Sequence, residues 1–198
     1  MSSEKLTRHK RRFDGLREDV LDAAWDLLVE RGLADLTLAE LGRRVDTSAG
    51  HLLYHFGSKD ELLLEVLRRS EGQLWDRWQL QRSQGATFQQ NYRLFCAQFM
   101  PVGIGDPRWL IWVELWPRLL RVEELRPSFN AMDDVWRVEL ADLLAEAGLA
   151  DAAPLARRIC WLLDGLSVSI VIGEDAITVP EAIEHAIALL PPELSSTF

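Results

Sequence analysis

The chain has 198 residues, of which 48% are hydrophobic and 27% are charged, the balance of a folded globular protein. Its 22 basic and 31 acidic residues leave a formal charge of −9, which argues against nonspecific coating of nucleic acid. No apolar run approaches the roughly 20 residues of a membrane span, and the charged N-terminus is unlike a signal peptide. We therefore expect a cytoplasmic protein without a membrane partner, in which any DNA contact is local.

Charge is concentrated at the N-terminus. Residues 1–17 contain six basic and two acidic side chains, whereas the remainder of the chain is strongly acidic. We interpret residues 1–16 as a basic arm. Such an arm is either a solvated tail or a segment that contacts the phosphates of nucleic acid.

Apolar residues recur with helical spacing along the whole chain. The first helix is predicted from Leu16, and Gly32 supplies its C-terminal cap. "VSIVI" has strand character but no partner strand, so it is kept helical. Further helices are predicted over 60–82, 87–100, 107–121, 127–147, 154–172 and 180–190, separated by Gly and Pro. The fold class is therefore all-α.

Two short predicted helices joined by a tight turn follow the first helix. Thr37-Leu-Ala-Glu40 has the form of a capping box and opens a helix from Leu38 to Arg44. Asp46, a residue type that tolerates left-handed backbone, marks the turn before a second helix over 48–56. A second capping box, Ser58 to Glu61, opens the next long helix. This is the pattern of a helix-turn-helix that reads the major groove, and also that of a plain structural hairpin.

The segment 20–67, "VLDAAWDLLVERGLADLTLAELGRRVDTSAGHLLYHFGSKDELLLEVL", resembles the N-terminal domain of TetR-type transcriptional repressors. The matching positions are Ala24, Gly32, Thr37, Leu41, Ser48, Gly50, Leu52, Tyr54, His55, Phe56, Lys59 and Leu62. Asp46, Thr47 and Leu53 replace the Gly, Val and Tyr that are usual in the family. Leu53 offers a thymine methyl contact in place of the tyrosine.

The resemblance implies which residues contact double-stranded operator DNA. They are Thr37, Thr47, Ser48, Ala49, Gly50, His51, Tyr54, His55 and Lys59. Lys59 also has an independent argument, because free amides and a cation in the first helical turn can grip one phosphate. Without the family pattern, Lys59 is a solvated charge and His55 a packing residue. His51 and His55 have a spacing that can hold zinc, but no further ligands accompany them and we predict no metal site.

The C-terminal part is rich in tryptophan and resembles the BetI-like branch of the same family, with "PRWLIWVELWPRLLRVEELRPSF" as its most similar stretch. Indoles at helical spacing form either a core or the walls of an apolar pocket. The candidate residues for binding an apolar or amphipathic effector are Tyr92, Trp109, Trp112, Trp116, Trp136 and Asp164. Asp164 is alternatively an interface carboxylate.

These patterns divide the chain into a basic arm (1–16), a helix-turn-helix DNA-binding domain (17–66) and a larger effector-binding and dimerisation domain (67–198). The last two helices predict a homodimer interface, with Ile159, Leu163, Leu166 and Ile170 as one stripe and Ile183, Ala186, Ile187 and Leu190 as the other. The alternative is that both stripes pack within one subunit.

The sequence has no phosphate loop, GxSxG, HExxH or dinucleotide motif. Cys96 and Cys160 lie in apolar helical patterns, which predicts reduced thiols in the core. We predict no enzyme and no cofactor. The expected function is a DNA-binding transcriptional regulator that a small molecule releases from a palindromic operator. The alternative is a helical ligand-binding or scaffold protein that has lost operator binding.

Overall fold

The structure is a computed structural model that describes residues 3–82, 86–174, 177–196 and 198, with side chains from residue 17 onward. Within those ranges it contains ten α-helices, two 3-10 turns and no strand. The helices are α1 (Ser3–Arg31), α2 (Leu38–Arg44), α3 (Ala49–Phe56), α4 (Lys59–Arg82), α5 (Phe88–Phe99), α6 (Pro107–Leu119), α7 (Arg126–Glu146), α8 (Ala152–Val171), α9 (Val179–Ala188) and α10 (Pro192–Ser195). The all-α prediction is confirmed.

The chain divides into two compact units, residues 1–67 and 68–198. Helix α4 contributes to both, because it begins at Lys59 and ends at Arg82. The assignment of a DNA-binding role to 17–66 and of effector-binding and dimerisation roles to 67–198 stays a prediction.

Helix α1 begins at Ser3, so the predicted start at Leu16 is wrong. Residues 4–14 lack an apolar stripe, but Lys, Arg, Glu and Leu among them are good helix formers. The side chains of the basic arm lie outside the described residues, and its role stays a prediction. The 3-10 turns Leu33–Asp35 and Glu123–Leu125 and the short α10 were missed because they are too short to show a periodicity.

The N-terminal unit packs α1 against α2, α3 and the start of α4. Its fully buried side chains include Val20, Ala24, Leu27, Leu36, Leu41, Leu62 and Leu63. Two ion pairs tie α2 to α1: Arg44 pairs with Glu30, and Arg31 lies 3.3 Å from Glu40. The core and these pairs fix the position of the short helices.

The C-terminal unit packs α5 to α9 around the second half of α4, with α7 and α8 as its most extensively packed pair. Polar groups secure the ends of the helices. Arg108 on α6 donates to the carbonyl oxygens of Phe99 (2.6 Å) and Met100 (3.0 Å), which end α5 and lack helical partners. Trp78 on α4 donates to Glu139 on α7 at 2.8 Å.

Six of the eight residues in the predicted dimer stripes are buried within the chain, whereas Leu166 and Ile183 are half-buried. Ile159 and Leu163 on α8 are fully buried within the chain itself, and Ala186 and Leu190 are 0% and 5% exposed. They face α7, α6 and α5 because those helices cover the most apolar sides of α8 and α9. A second chain could not contact the six buried residues, and the homodimer itself stays a prediction.

No helix in the described ranges has the length and apolar character needed to cross a membrane. Cys96 and Cys160 are free and buried, as predicted. Burial raises the pKa of the Cys96 thiol to about 12 and that of Cys160 likewise upward. Both are therefore protonated and unreactive near neutral pH.

Candidate functional sites

The turn between α2 and α3 depends on close backbone approach. Asp46 adopts the left-handed conformation (φ 52°) that its residue type predicted. The amide of Thr47 donates to the carbonyl of Gly42 at 2.7 Å, and a Cβ on Gly42 would lie 2.8 Å from the Thr47 carbonyl oxygen. Only glycine fits at position 42. Sequence reasoning missed this residue, although a glycine inside a short amphipathic helix signals a close contact.

Side-chain caps begin both short helices. The hydroxyl of Thr37 accepts from the Glu40 amide at 3.1 Å, and that of Ser48 accepts from the His51 amide at 3.0 Å. The reciprocal half of the predicted capping box at Thr37 is absent from the described contacts, because the Glu40 carboxylate pairs with Arg31 and Arg43. The caps hold the first turn of α3 in a fixed conformation.

Helix α3 has a buried and an exposed face. The i, i+4 spacing of Leu52 and Phe56 predicts a pair that faces the core, and these side chains are 1% and 5% exposed. Tyr54, 83% exposed, lies on the opposite side with Gly50 and His51. The exposed face is therefore composed of small and polar residues, as groove contact requires, together with the half-exposed Leu53.

A hydrogen-bonded chain orients the polar residues of this face. The Thr47 hydroxyl lies 2.8 Å from Nδ1 of His51, and Nε2 of His51 lies 2.8 Å from Nε2 of His55. The His55 ring also makes an edge contact with Tyr54. These contacts connect three side chains spaced four residues apart and fix their orientation on this face.

Lys59 is the first residue of α4 and is half-buried. Beside it, the Ser58 hydroxyl accepts from the Glu61 amide at 3.0 Å. The nine predicted DNA-contacting residues thus lie within one segment from Thr37 to Lys59, and their roles stay predictions. We call this segment the reading segment.

A cavity of about 30 Å³ lies within the C-terminal unit, between α4, α6, α7 and α8, with one wall from the end of α5. Its walls are Glu71, Phe99, Arg108, Trp109, Trp112, Trp116, Asp133, Trp136 and Asp164, which we call the cage. Five of the six residues predicted for the effector site are among them. The volume accommodates only water-sized occupants.

Glu71 is the centre of the cage and is only 6% exposed. Its carboxylate accepts from the indole of Trp112 at 2.8 Å, the indole of Trp136 at 2.8 Å and the guanidinium of Arg108 at 3.1 Å. Each buried indole N–H therefore has an acceptor, and the buried charge has a partner. These three bonds fix the orientation of two aromatic walls.

Two further carboxylates face the cavity from α7 and α8. Burial and the neighbouring Asp133 together raise the pKa of Asp164 to about 7, although Arg137 opposes the shift. Burial also raises the pKa of Asp133, although Arg137, 2.5 Å away, lowers it. The cage therefore combines aromatic walls with closely spaced acidic groups.

Tyr92 lies elsewhere in the unit. Its side chain is fully buried, and its hydroxyl donates to the carbonyl of Ala186 at 2.8 Å, which ties α5 to α9. Sequence reasoning missed Glu71, Arg108 and Asp133. Charged residues at buried helical positions were the available signal, but burial on a long polar helix such as α4 is not readable from its periodicity.

An open groove of about 490 Å³ adjoins the cage between α4 and α7. It shares Glu71 and Trp136 with the cage and is otherwise lined mainly by Trp75, Met132 and Val135. The Trp136 indole, in edge contact with Trp75, lines both spaces together with Glu71. Movement of this one ring would enlarge the cage toward the groove.

An all-α chain with a helix-turn-helix ahead of a helical unit that encloses a polar cavity has the organisation of a helix-turn-helix transcriptional regulator. Residues 20–66 match the model for bacterial regulatory proteins of the tetR family, and residues 89–193 match that for the C-terminal domain of BetI-type transcriptional repressors. The chain belongs to the TetR family of transcriptional regulators, with a BetI-type C-terminal domain. The members of this family are regulators rather than enzymes.

Individual proteins support this assignment. The regulator QacR of Staphylococcus aureus is 28% identical over 119 residues, which cover 60% of this chain and 63% of QacR. The regulator BetI of Burkholderia thailandensis is 29% identical over 160 residues, or 76% of this chain and 78% of BetI. This chain thus spans less than two thirds of QacR and more than three quarters of BetI.

A solved structure resembles the whole chain. It is a putative transcriptional regulator from Saccharomonospora viridis in complex with choline, 26% identical, with a TM-score of 0.74. The match covers 87% of this chain and 94% of the other. The overall likeness therefore extends across both units.

Proposed function

We propose that the protein is a repressor that binds a palindromic DNA operator as a homodimer and is released when a small amphipathic cation enters the cage. The observation that carries the proposal is the cage itself, in which four indoles and three carboxylates surround one cavity. As a regulator of transcription it acts in the cytoplasm and needs neither a cofactor nor a catalytic step.

The reading segment supports the DNA-binding half of this function. Its exposed face presents Gly50, His51 and Tyr54, while Leu52 and Phe56 anchor the helix from behind. One eight-residue helix reads only a few base pairs, so two copies on a two-fold axis are needed for a specific site. We expect the two α3 helices of the dimer to contact half-sites about 34 to 36 Å apart on DNA.

The cage supports a cationic effector. Aromatic faces attract a cation by about 0.5 to 2 kcal/mol each, and quaternary ammonium groups are the usual ligands of such walls. The facing charges add to this attraction, since three carboxylates and one guanidinium surround the cavity. Choline in the Saccharomonospora viridis regulator is a ligand of this chemical class.

Effector binding must change the protein, because an ammonium group larger than water does not fit a cavity of about 30 Å³. Displacement of Trp136 toward the adjoining groove provides the space, and it breaks or shifts the bond to Glu71. Glu71 lies on α4, the helix that begins at Lys59. We infer that α4 carries the displacement to the reading segment, with a coupling of about 1 to 3 kcal/mol, or 5- to 150-fold in DNA affinity.

The dimer surface is a stripe on the exposed side of α8. Trp161 (58% exposed), Gly165, Val168 and Ile172 (65% exposed) follow one another at intervals of four, three and four residues. Nothing lies within 4 Å of a Cβ built on Gly165, so a second helix could approach closely there. This apolar stripe replaces the buried one that the sequence predicted.

A gel shift with the DNA upstream of the protein's own gene tests the proposed function. We expect a retarded protein–DNA complex that dissociates when choline chloride is added. Tryptophan fluorescence should change over the same range of choline concentration. Trp116→Leu, which removes one wall of the cage, should weaken the choline response, whereas Leu120→Ala, at an exposed position after α6 and outside the cage, should not. A fluorescence change without loss of DNA would contradict the coupling, and no response to choline or tetramethylammonium would contradict the effector class.

A further inference from the structure

The charges that face the cage do not balance. Glu71 from α4 is paired with Arg108 from α6 at 3.1 Å, and Asp133 is paired with Arg137 on the same helix α7. Among the described side chains, no ion pair is found for Asp164 on α8. One carboxylate beside the aromatic walls therefore has no ion pair of its own among the described side chains, although the charge of Arg137 still acts on it.

An isolated carboxylate in apolar surroundings is costly, and it lowers its free energy by taking up a proton or a cation. The pKa of Asp164, raised to about 7 by burial and by Asp133, means that this carboxyl group is partly protonated near neutral pH. Asp133 contributes because it also has a raised pKa and because the two acids repel each other when both are ionised. Their titration belongs to the pair rather than to either residue.

The other titratable groups around the pair cannot supply the missing charge. Arg108 already bonds to Glu71 and to the carbonyls that end α5. Arg137 pairs with Asp133 and lies 3.6 Å from the exposed Asp134, and Cys160 on α8 is a protonated thiol. A proton from solvent is thus the counter-charge that the ligand-free protein has available.

We propose that a proton and a cationic effector are alternative occupants of the Asp133–Asp164 pair, so that the cation enters the cage in exchange for one proton released to solvent. This inference rests on the proposed function and adds how the same site selects its ligand. A neutral molecule of equal shape cannot replace the proton, because it would leave two ionised carboxylates with the single charge of Arg137 between them. The exchange therefore selects permanent cations over neutral amphiphiles.

Isothermal titration calorimetry of the full chain with choline chloride tests the exchange, because the charge of choline does not change with pH. At pH 7, we expect roughly half a proton released per choline, measured as a difference in heat between phosphate and Tris buffers. Between pH 6 and pH 8, the dissociation constant should fall by about tenfold, as one linked proton requires.

Two matched variants locate the proton. Asp164→Asn should abolish both the buffer-dependent heat and the pH dependence, and should weaken choline binding at pH 8. Asp142→Asn removes one exposed acid from α7 outside the cage and should behave as the parent chain. Circular dichroism verifies that both variants fold.

The outcomes distinguish this inference from the proposed function. Choline binding with equal heats in both buffers and equal affinity at pH 6 and 8 overturns the exchange but leaves the cage as the effector site. Proton release that persists in Asp164→Asn overturns the assignment to the pair. Failure of the parent chain to bind both choline and tetramethylammonium at pH 8 overturns the effector class, and the exchange with it.

Discussion

The two units place their candidate functional residues in opposite ways. In the N-terminal unit these residues lie in one continuous segment, from Thr37 to Lys59, and most are exposed or half-exposed. In the C-terminal unit the cage is assembled from residues between Glu71 and Asp164 on five helices, and most are buried. The first arrangement is a surface supported by a core, whereas in the second the site is part of the core.

This difference determines how function and stability are related. Tyr54 and Lys59 can change without creating a cavity or an unpaired buried charge, so their loss should affect binding alone. Glu71 holds Arg108 and two indoles, so its loss should affect folding and ligand binding together. Substitutions in the two units should therefore give different combinations of stability and affinity.

The largest effect is expected from Glu71→Ala. The change leaves the guanidinium of Arg108 buried without its carboxylate and removes the acceptor of two indoles, which should cost about 3 to 5 kcal/mol of unfolding free energy. Urea denaturation followed by circular dichroism measures it. Glu184→Ala, which breaks an exposed pair with Arg93, should cost less than about 1 kcal/mol. Equal costs for the two variants would show that the cage is not part of the core.

The exposed stripe on α8 is the exception to burial in the C-terminal unit. Trp161→Glu should convert dimers to monomers without unfolding, and a central interface residue of this kind contributes about 2 kcal/mol or more. Sedimentation velocity at micromolar concentration, with circular dichroism as the folding check, measures the change.

Two variants serve as controls for this test. Leu163→Glu places a charge at a fully buried position and should unfold the chain instead. Val29→Glu alters an equally exposed apolar residue of the N-terminal unit and should leave the dimer intact. A parent chain that sediments as a monomer, or a dimer that survives Trp161→Glu, would rule out the stripe as the interface.

Gly42→Ala tests whether the reading segment has a structural requirement of its own. The added Cβ would lie 2.8 Å from the Thr47 carbonyl, so the turn must shift at a cost of about 1 to 3 kcal/mol. DNA binding should be lost while choline binding is retained. Gly103→Ala, with open space at its Cβ and outside both the cage and the adjoining groove, is the matched control and should keep both. Retention of full DNA affinity in Gly42→Ala would mean that the turn is not needed for reading DNA.

The contrast also explains what the sequence could predict. Local signals were readable because each depends on neighbours within a few residues. They are the caps at Thr37 and Ser58, the Asp46 turn and the Leu52–Phe56 face. Glu71 and Arg108 are 37 residues apart in the chain, and their pairing depends on how α4 and α6 pack. The same limit applies to the predicted dimer stripes, because the periodicity of α8 shows that a face is apolar but not which helix covers it.

The smallest effect is expected from Lys59→Ala. This variant tests whether a surface residue can contribute to DNA binding without contributing to stability. Lys59 begins α4, where the free amides of the first turn and its ammonium group can neutralise one phosphate together. Loss of one such contact should weaken binding to all DNA sequences alike and lower the slope of log affinity against log salt by about one unit.

Tyr54→Ala, at an exposed groove-facing position, should instead weaken binding in a sequence-dependent way with little change in slope. Fluorescence anisotropy at several salt concentrations, on an operator and a scrambled duplex, separates the two. Because Lys59 is only half-buried, the unfolding free energy should stay within about 0.5 kcal/mol of the parent. An unchanged salt slope in Lys59→Ala would place the start of α4 away from the phosphates and confine DNA contact to α2 and α3.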